Sequence, residues 1–285
     1  MHLTTESSSR EWVINAHRGA HHEDLLENTT EAFTGAWKEG ANCLECDLHL
    51  TKDRQIILIH NDEIGPLAKL TTEVPPEGQF HERPAGKVHD YTLAFLKGIT
   101  FPRGTHLLSF AEFLDLLGSL RMGANIELKE GGYERQILEA IEAAHLDYEN
   151  LIGPVVCTSG NIFAVLRLLR LVPKYDIPLY RFNEQKGLAM GFQALEPGAF
   201  YGQWLIRQME KRHMWGFMTH YRHLPTTCLP YAHLHGIKFC ARVPDDLPLI
   251  NNYIAAGVDG FETDNVPLIR QCIEDQGYSL WPLPQ

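Results

Sequence analysis

Short apolar runs alternate along the chain with longer segments whose apolar residues recur at i, i+3, i+4 and i+7. This is the alternation expected of strands and amphipathic helices. The strand candidates are WVINAH, CLECDLHL, IILIHN, ANIELK, VVCTSG, IPLYRF, GIKFCARV and GVDGFETD. Between them lie helical patterns such as TTEAFTGAWKEG, SFAEFLDLLGSL, YERQILEAIEAAHL, NIFAVLRLLRLV and LPLINNYIAAG, several ending at Gly. Repeated βα units in this order predict an α/β fold, a single TIM (β/α)8 barrel. Two stretches break the rhythm. Residues 65–90 are rich in Pro, Gly and charge and predict an excursion after strand three, too polar to form an element. Residues 183–235 are irregular, with room for an extra strand around GFMTH. The expected organisation is a loose N-terminal tail over 1–12, the barrel over 13–275 and a C-terminal tail over 276–285.

Composition changes this picture little, and charge changes it more. Hydrophobic residues at 44% suit a large buried core, whereas a net charge of -11 would repel nucleic acid and an anionic membrane surface. An anionic substrate therefore needs a locally positive site. No apolar run reaches the roughly 18 residues of a membrane span, and the first residues lack a secretory pattern. No nucleic-acid partner and no stable membrane insertion are expected, and the sequence leaves the oligomeric state open. Six scattered cysteines fit buried, reduced thiols and a cytoplasmic protein. On a strand, Cys43 and Cys46 point to opposite faces, so their CxxC is not expected to share a metal or a disulfide.

In a TIM barrel, polar residues at the carboxyl ends of strands build the active site. The first four runs supply His17, Glu45, Asp47, His60 and Glu127. Glu45 and Asp47 share one strand face. Either they are a solvated, salt-bridged acidic end, or, with Glu127 converging, they hold a hard divalent cation such as Mg²⁺ or Ca²⁺. His17 and His60, flanking the carboxylate strand, suit general acid and base work. Arg18 offers a fork for an anionic oxygen and Lys129 a point charge, unless both simply pair with the acids. In ENTTEAF, Asn28, Thr29 or Thr30 can cap the following helix. Glu27 either holds His17 or Arg18 in place or bonds to local backbone.

Taken together, AHRGA, ENTTEAF, LECDLHLTKD, ILIHND, NIELK and GVDGFETD, in that order from about residue 13 to residue 270, resemble the glycerophosphodiester phosphodiesterase family. The resemblance implies a TIM barrel that hydrolyses small glycerophosphodiesters to an alcohol and sn-glycerol 3-phosphate with a divalent metal. It implies His17 and His60 as catalytic histidines, and Glu45, Asp47 and Glu127 as metal ligands. It also implies phosphate binding by Arg18 and Lys129, and a route through a cyclic phosphate formed by the neighbouring glycerol hydroxyl. Two departures stand out. HHEDLL replaces the Gly and Pro usual before the ENT element. On strand seven, Arg242, Val243, Pro244 and Asp245 stand where the family commonly has Trp-Thr-Val-Asn. Arg242 is then either an ion-pair partner of Asp245, Asp246 or another rim acid, or a contact for an anionic part of the substrate. Two alternatives remain. One is a lysophospholipase D or sphingomyelinase D-like enzyme with an apolar channel from Phe200, Tyr201, Trp204, Trp215 and Phe217. The other is a non-catalytic phosphoester-binding protein, which has no need of both histidines.

Overall fold

The computed structural model describes residues 11–20, 25–64, 86–179, 187–194, 199–223 and 226–284. Its strands are β1 (Val13–Ala16), β2 (Cys43–Leu50), β3 (Ile56–Leu58), β4 (Gly123–Leu128), β5 (Val155–Thr158), β6 (Leu188–Ala194), β7 (Gly216–His220), β8 (Lys238–Arg242) and β9 (Gly260–Thr263). All but β3 pair in parallel in the ring β1-β2-β4-β5-β6-β7-β8-β9, which closes because β1 pairs with both β2 and β9. This is the expected TIM barrel, although two of its walls differ from the runs first picked out.

IILIHN is not a wall. β3 runs antiparallel to the end of β2, matching Leu48 with Leu58 and Leu50 with Ile56, while β2 pairs directly with β4. A short apolar run cannot reveal its pairing direction, and the turn at 51–55 is too short for a parallel crossover. IPLYRF is not a strand either over its described part, where only an isolated bridge from Leu179 to Leu188 forms; Tyr180, Arg181 and Phe182 lie outside the described residues. The walls there are β6 and β7, the latter being GFMTH. β6, LAMGFQA, has no β-branched residue to mark it.

Alternation along the strands gives the barrel two faces. Ile14, Ala16, Leu44, Cys46, Leu48, Ile126 and Leu128 face outward and join the main core with Phe33, Phe113, Leu117 and Ile137 of the surrounding helices. Val13, Cys43, Val156, Ala189, Trp215, Met218 and Cys240 form a separate apolar cluster at the amino-terminal end of the barrel interior. All six cysteines are buried and free, and burial raises the Cys43 and Cys46 thiols well above their usual range. Among the described residues no helix is long and apolar enough to cross a membrane.

The excursion is less featureless than its composition suggests. Of residues 65–90, 65–85 lie outside the described residues, but Val88–Asp90 form a 3₁₀ turn and Glu63 bridges Lys87. The chain then makes the helix Leu93–Lys97, and Ile57, Ile59, Ile64, Val88, Tyr91, Phe95, Leu96 and Phe101 build a second small core. At the other end, Tyr278, Leu280 and Trp281 pack against the main core, and Trp12 meets Tyr278 edge-on at 5.2 Å.

Candidate active site

Helix α1 (Thr30–Glu39) fixes the segment that follows β1. Thr29 caps it by accepting from Ala32 N–H, Gly40 ends it in the left-handed conformation, and Phe33 and Ala36 bury its inner face. Of the three candidate caps, then, Thr29 takes the role. Asn28 instead donates from Nδ2 to Asp47 Oδ2 at 3.0 Å. Gly19, at φ +85°, lies so close to this helix that a Cβ would sit 2.6 Å from the Ala32 carbonyl carbon. Ala20 N–H donates to Ala32 O and Asn28 N–H to Arg18 O, so His17 and Arg18 are held over the barrel mouth. His21 and His22 of HHEDLL lie outside the described residues.

β2 and β4 bring the carboxylates together. Parallel register sets Glu45 opposite Asn125 and Asp47 opposite Glu127. One ligand atom from each of Glu45, Asp47 and Glu127 lies within 4.8 Å of the others. Arg18 donates its backbone N–H to Glu45 Oε2 at 3.0 Å, while its guanidinium reaches Glu27 Oε2 at 2.9 Å and Asp47 Oδ2 at 3.1 Å. Lys129 Nζ sits 2.7 Å from Asp47 Oδ1 and 2.8 Å from Glu127 Oε1. Both cations are thus paired with the acids, and Glu27 is the partner of Arg18.

These contacts explain the electrostatics. Burial, then the neighbouring charges of Asp47, Glu262 and Glu127, push the Glu45 carboxyl well above the usual range, and Lys129 only partly offsets this. Burial also works against the charge of Asp47, but Lys129, Arg18 and the hydrogen bond from Asn28 win and hold it below the ordinary value. For Lys129 and Arg18 the acids outweigh desolvation, and both stay firmly protonated.

Glu45 Oε1 is buried and has no hydrogen-bond partner. A buried, uncompensated carboxylate oxygen beside two others is costly unless a cation meets it, and an all-oxygen donor set suits a hard divalent ion. The three residues therefore fit such a metal.

The histidines arrive from different elements. His17, buried just past β1, places Nδ1 2.6 Å from Asp264 Oδ1. A contact that short with a carboxylate requires the hydrogen on Nδ1, which leaves Nε2 as the group able to exchange a proton when the ring is neutral. His60 does not end a barrel strand. It follows antiparallel β3, whose continuation Ile59 donates N–H to Asp47 O at 3.0 Å, and this brings His60 over the end of β2. Its Nδ1 contacts Asn61 Oδ1 at 2.9 Å. Burial lowers its pKa, with Asp47 opposing and Arg18 and Lys129 adding to the depression, so it is neutral near pH 7.

Arg242, at the end of β8, approaches His17 Nδ1 to 3.4 Å and Glu262 Oε1 to 3.9 Å. It pairs with neither sequence neighbour. Asp245 accepts from Asn265 Nδ2, and Asp246 caps the helix Leu247–Ala256. Of the aromatics considered for a lipid channel, Trp215 and Phe217 are buried, Trp204 is exposed, and the side chains of Phe200 and Tyr201 lie outside the described residues.

Several site residues escaped the sequence reasoning. Asp264 orients His17, and Glu262 accepts from Asn15 Nδ2 at 3.1 Å and Asn125 Nδ2 at 3.2 Å beneath the mouth. Thr158 completes that layer by donating to Asn125 Oδ1. The signal that marks Glu127, an acid at the end of an apolar run, is also present at Glu262 and Asp264 in GFETD.

Residues 17–174 match the model of the glycerophosphoryl diester phosphodiesterase family. A glycerophosphodiester phosphodiesterase of Caldanaerobacter subterraneus subsp. tengcongensis is 26% identical over 278 residues, covering 93% of this chain and 99% of that protein. Among solved structures, a phosphodiesterase of Oleispira antarctica in complex with the product sn-glycerol-3-phosphate aligns with a TM-score of 0.67 at 20% identity, covering 92% of this chain and 96% of its own. A protein of Silicibacter pomeroyi described as a putative glycerophosphoryl diester phosphodiesterase aligns with a TM-score of 0.73 at 19% identity, covering 95% of both chains. At these identities the structures speak for the fold alone, while the family model spans more than half of the sequence. The chain belongs to the glycerophosphoryl diester phosphodiesterase family.

Proposed function

We propose that this chain hydrolyses glycerophosphodiesters to an alcohol and sn-glycerol 3-phosphate, with a divalent cation bound by Glu45, Asp47 and Glu127 and with His17 and His60 moving the protons. The observation that carries this reading is the convergence of three carboxylates, with the buried Glu45 Oε1 lacking a hydrogen-bond partner, and an Asp-oriented histidine at one barrel mouth.

A cation in the cluster supplies Lewis-acid polarisation of the phosphodiester. Arg18 and Lys129, at the edge of the cluster, bind the anionic phosphate oxygens and stabilise charge that grows on them. Asn28 and Glu27 keep Asp47 and Arg18 in register. Asp264 holds the His17 ring with Nε2 available. One histidine removes the proton of the attacking hydroxyl as its oxygen bonds to phosphorus, and the other delivers a proton to the departing alkoxide as the P–O bond breaks. The attacking group is the adjacent glycerol hydroxyl, which gives a cyclic phosphate that water then opens.

The test is release of glycerol 3-phosphate from glycerophosphocholine with Mg²⁺ or Ca²⁺, with and without chelator, with His17→Ala as the blank. Metal-dependent release absent from the blank supports the proposal. No release from any glycerophosphodiester overturns it. A trapped cyclic phosphate separates the two-step route from direct attack by water.

A further inference from the structure

In the ring order of the barrel, β7 stands four strands from β2, and β8 four strands from β4. The β7–β8 ends therefore face the carboxylate cluster across the mouth. Whatever part of a substrate extends away from a phosphate bound at that cluster reaches this opposite sector.

The sector carries two arginines and a histidine. β7 and β8 pair in parallel with His220 opposite Arg242, so the two side chains share a face at the carboxyl ends of neighbouring strands. Arg242 is 43% exposed. Directly after β7, Tyr221 anchors a short turn: its carbonyl accepts from Tyr253 Oη at 2.6 Å, and the Arg222 guanidinium lies 5.5 Å from its ring centroid. Arg222 Nε also donates to Tyr221 Oη at 3.0 Å.

The structural contacts of Arg242 do not account for it well. The two adjacent acids are committed to Asn265 and to a helix cap. Glu262 Oε1, the acidic oxygen that faces Arg242, stands 3.9 Å from its Nε, a loose ion pair, while Asn15 and Asn125 bond to the other oxygen. The approach to His17 Nδ1 at 3.4 Å is not a hydrogen bond, because that nitrogen uses its hydrogen on Asp264. Arg18 and Lys129, by contrast, are each matched by two carboxylates. An anion placed against Arg242 uses its fork of donors.

We infer that Arg242, with His220 beside it, forms a subsite for a second anionic group of the substrate, a phosphomonoester or carboxylate several bonds away from the scissile phosphate. This deepens the phosphodiesterase reading above and rests on it. Arg242 is then a specificity-determining residue that favours diesters carrying an extra negative charge over those without one.

The test compares glycerophosphoinositol 4-phosphate with glycerophosphoinositol, which differ only by the monoester. Wild type is expected to show the higher kcat/KM on the phosphorylated diester. Arg242→Gln is expected to lose at least about tenfold more on it than on the parent, mainly through KM, as suits a lost charge-assisted contact. Arg242→Lys should keep part of the preference, which guards against a merely misfolded variant. Equal losses on both substrates, or a wild-type preference for the parent, overturn the subsite. If neither is hydrolysed, the phosphodiesterase reading is decided separately, on glycerophosphocholine as above. Calorimetric binding of the same two compounds to His60→Ala, with and without Arg242→Gln, then decides: an Arg242-dependent preference for the phosphorylated ligand upholds the subsite, and equal affinity overturns it.

Discussion

His17 Nδ1 and Asp264 Oδ1, 247 positions apart in the chain, lie 2.6 Å from one another across the closure of the barrel. β1 and β9 pair over four residues, ending at Ala16 with Thr263, so the next residue on each strand meets the other at the mouth. The Asp fixes both the tautomer and the tilt of the ring. Asp264→Ala is therefore expected to lower kcat on glycerophosphocholine by about 10²-fold or more while KM moves little. Steady-state kinetics with both Asp264→Ala and Asp264→Asn check this. An undiminished kcat in both would leave His17 oriented by something else.

Gly19 predicts a loss that begins in the backbone. Its φ of +85° and the 2.6 Å approach to Ala32 leave no room for a methyl group. Gly19→Ala should cost about 2–4 kcal/mol, from the left-handed conformation and the collision together. It should also cut activity by displacing His17 and Arg18. Gly104→Ala is the control, since Gly104 has φ +73° but nothing within 4 Å of an added Cβ. Thermal melts should show the smaller drop for Gly104→Ala, with activity intact.

Metal should stabilise the fold as well as activate it. At a hundredfold excess over Kd, a ligand specific to the native state adds about 2.7 kcal/mol. The melting temperature of the wild type is expected to rise with Ca²⁺ or Mg²⁺, and the rise should vanish in Asp47→Asn and shrink in Glu45→Gln. A metal-independent melt in the wild type would count against the carboxylate cluster as the binding site.

A second buried acid, far from the mouth, sets a pH dependence of stability. Asp259 accepts from Phe239 N–H at 2.8 Å, contacts His233 Nε2 at 2.9 Å and lies 3.3 Å from Lys238 Nζ. Burial alone would raise its pKa, but the His233 contact and Lys238 outweigh that and hold it below the ordinary 3.8. Its contribution is therefore fully present above about pH 4 and lost as the pH falls through the depressed native value. Asp259→Asn should cost about 1–3 kcal/mol at pH 7. The gap between wild-type and variant melting temperatures should close in acid, and a gap unchanged at the lowest pH at which both fold would contradict the assignment.

How legible was all this in the sequence? The barrel itself was, because eight parallel walls leave a strand–helix rhythm that survives local errors. The walls were less so. IILIHN looked like a wall because apolar content cannot reveal direction, and LAMGFQA was overlooked because a strand buried on both faces needs small residues such as Gly191 as much as branched ones. The site divided the same way. His17, Arg18 and Glu127 stand out because each lies at or just past the end of an early strand, and Glu45 and Asp47 because they share one face of β2. Asp264 and Glu262 matter through partners hundreds of residues away, and only closure of the ring brings those partners near.

The apolar cluster at the base of the barrel has a consequence for traffic. Among the described residues, Val13, Cys43, Trp215, Met218 and Cys240 fill the base of the barrel interior, so the proposed reaction takes in substrate and releases both products at the mouth. In the proposed reaction the fragment that keeps the phosphomonoester gains a charge as it forms, beside Arg18 and Lys129, while the freed alcohol loses its hold. In that reaction the alcohol is expected to depart first, and accumulating glycerol phosphate to slow the next turnover.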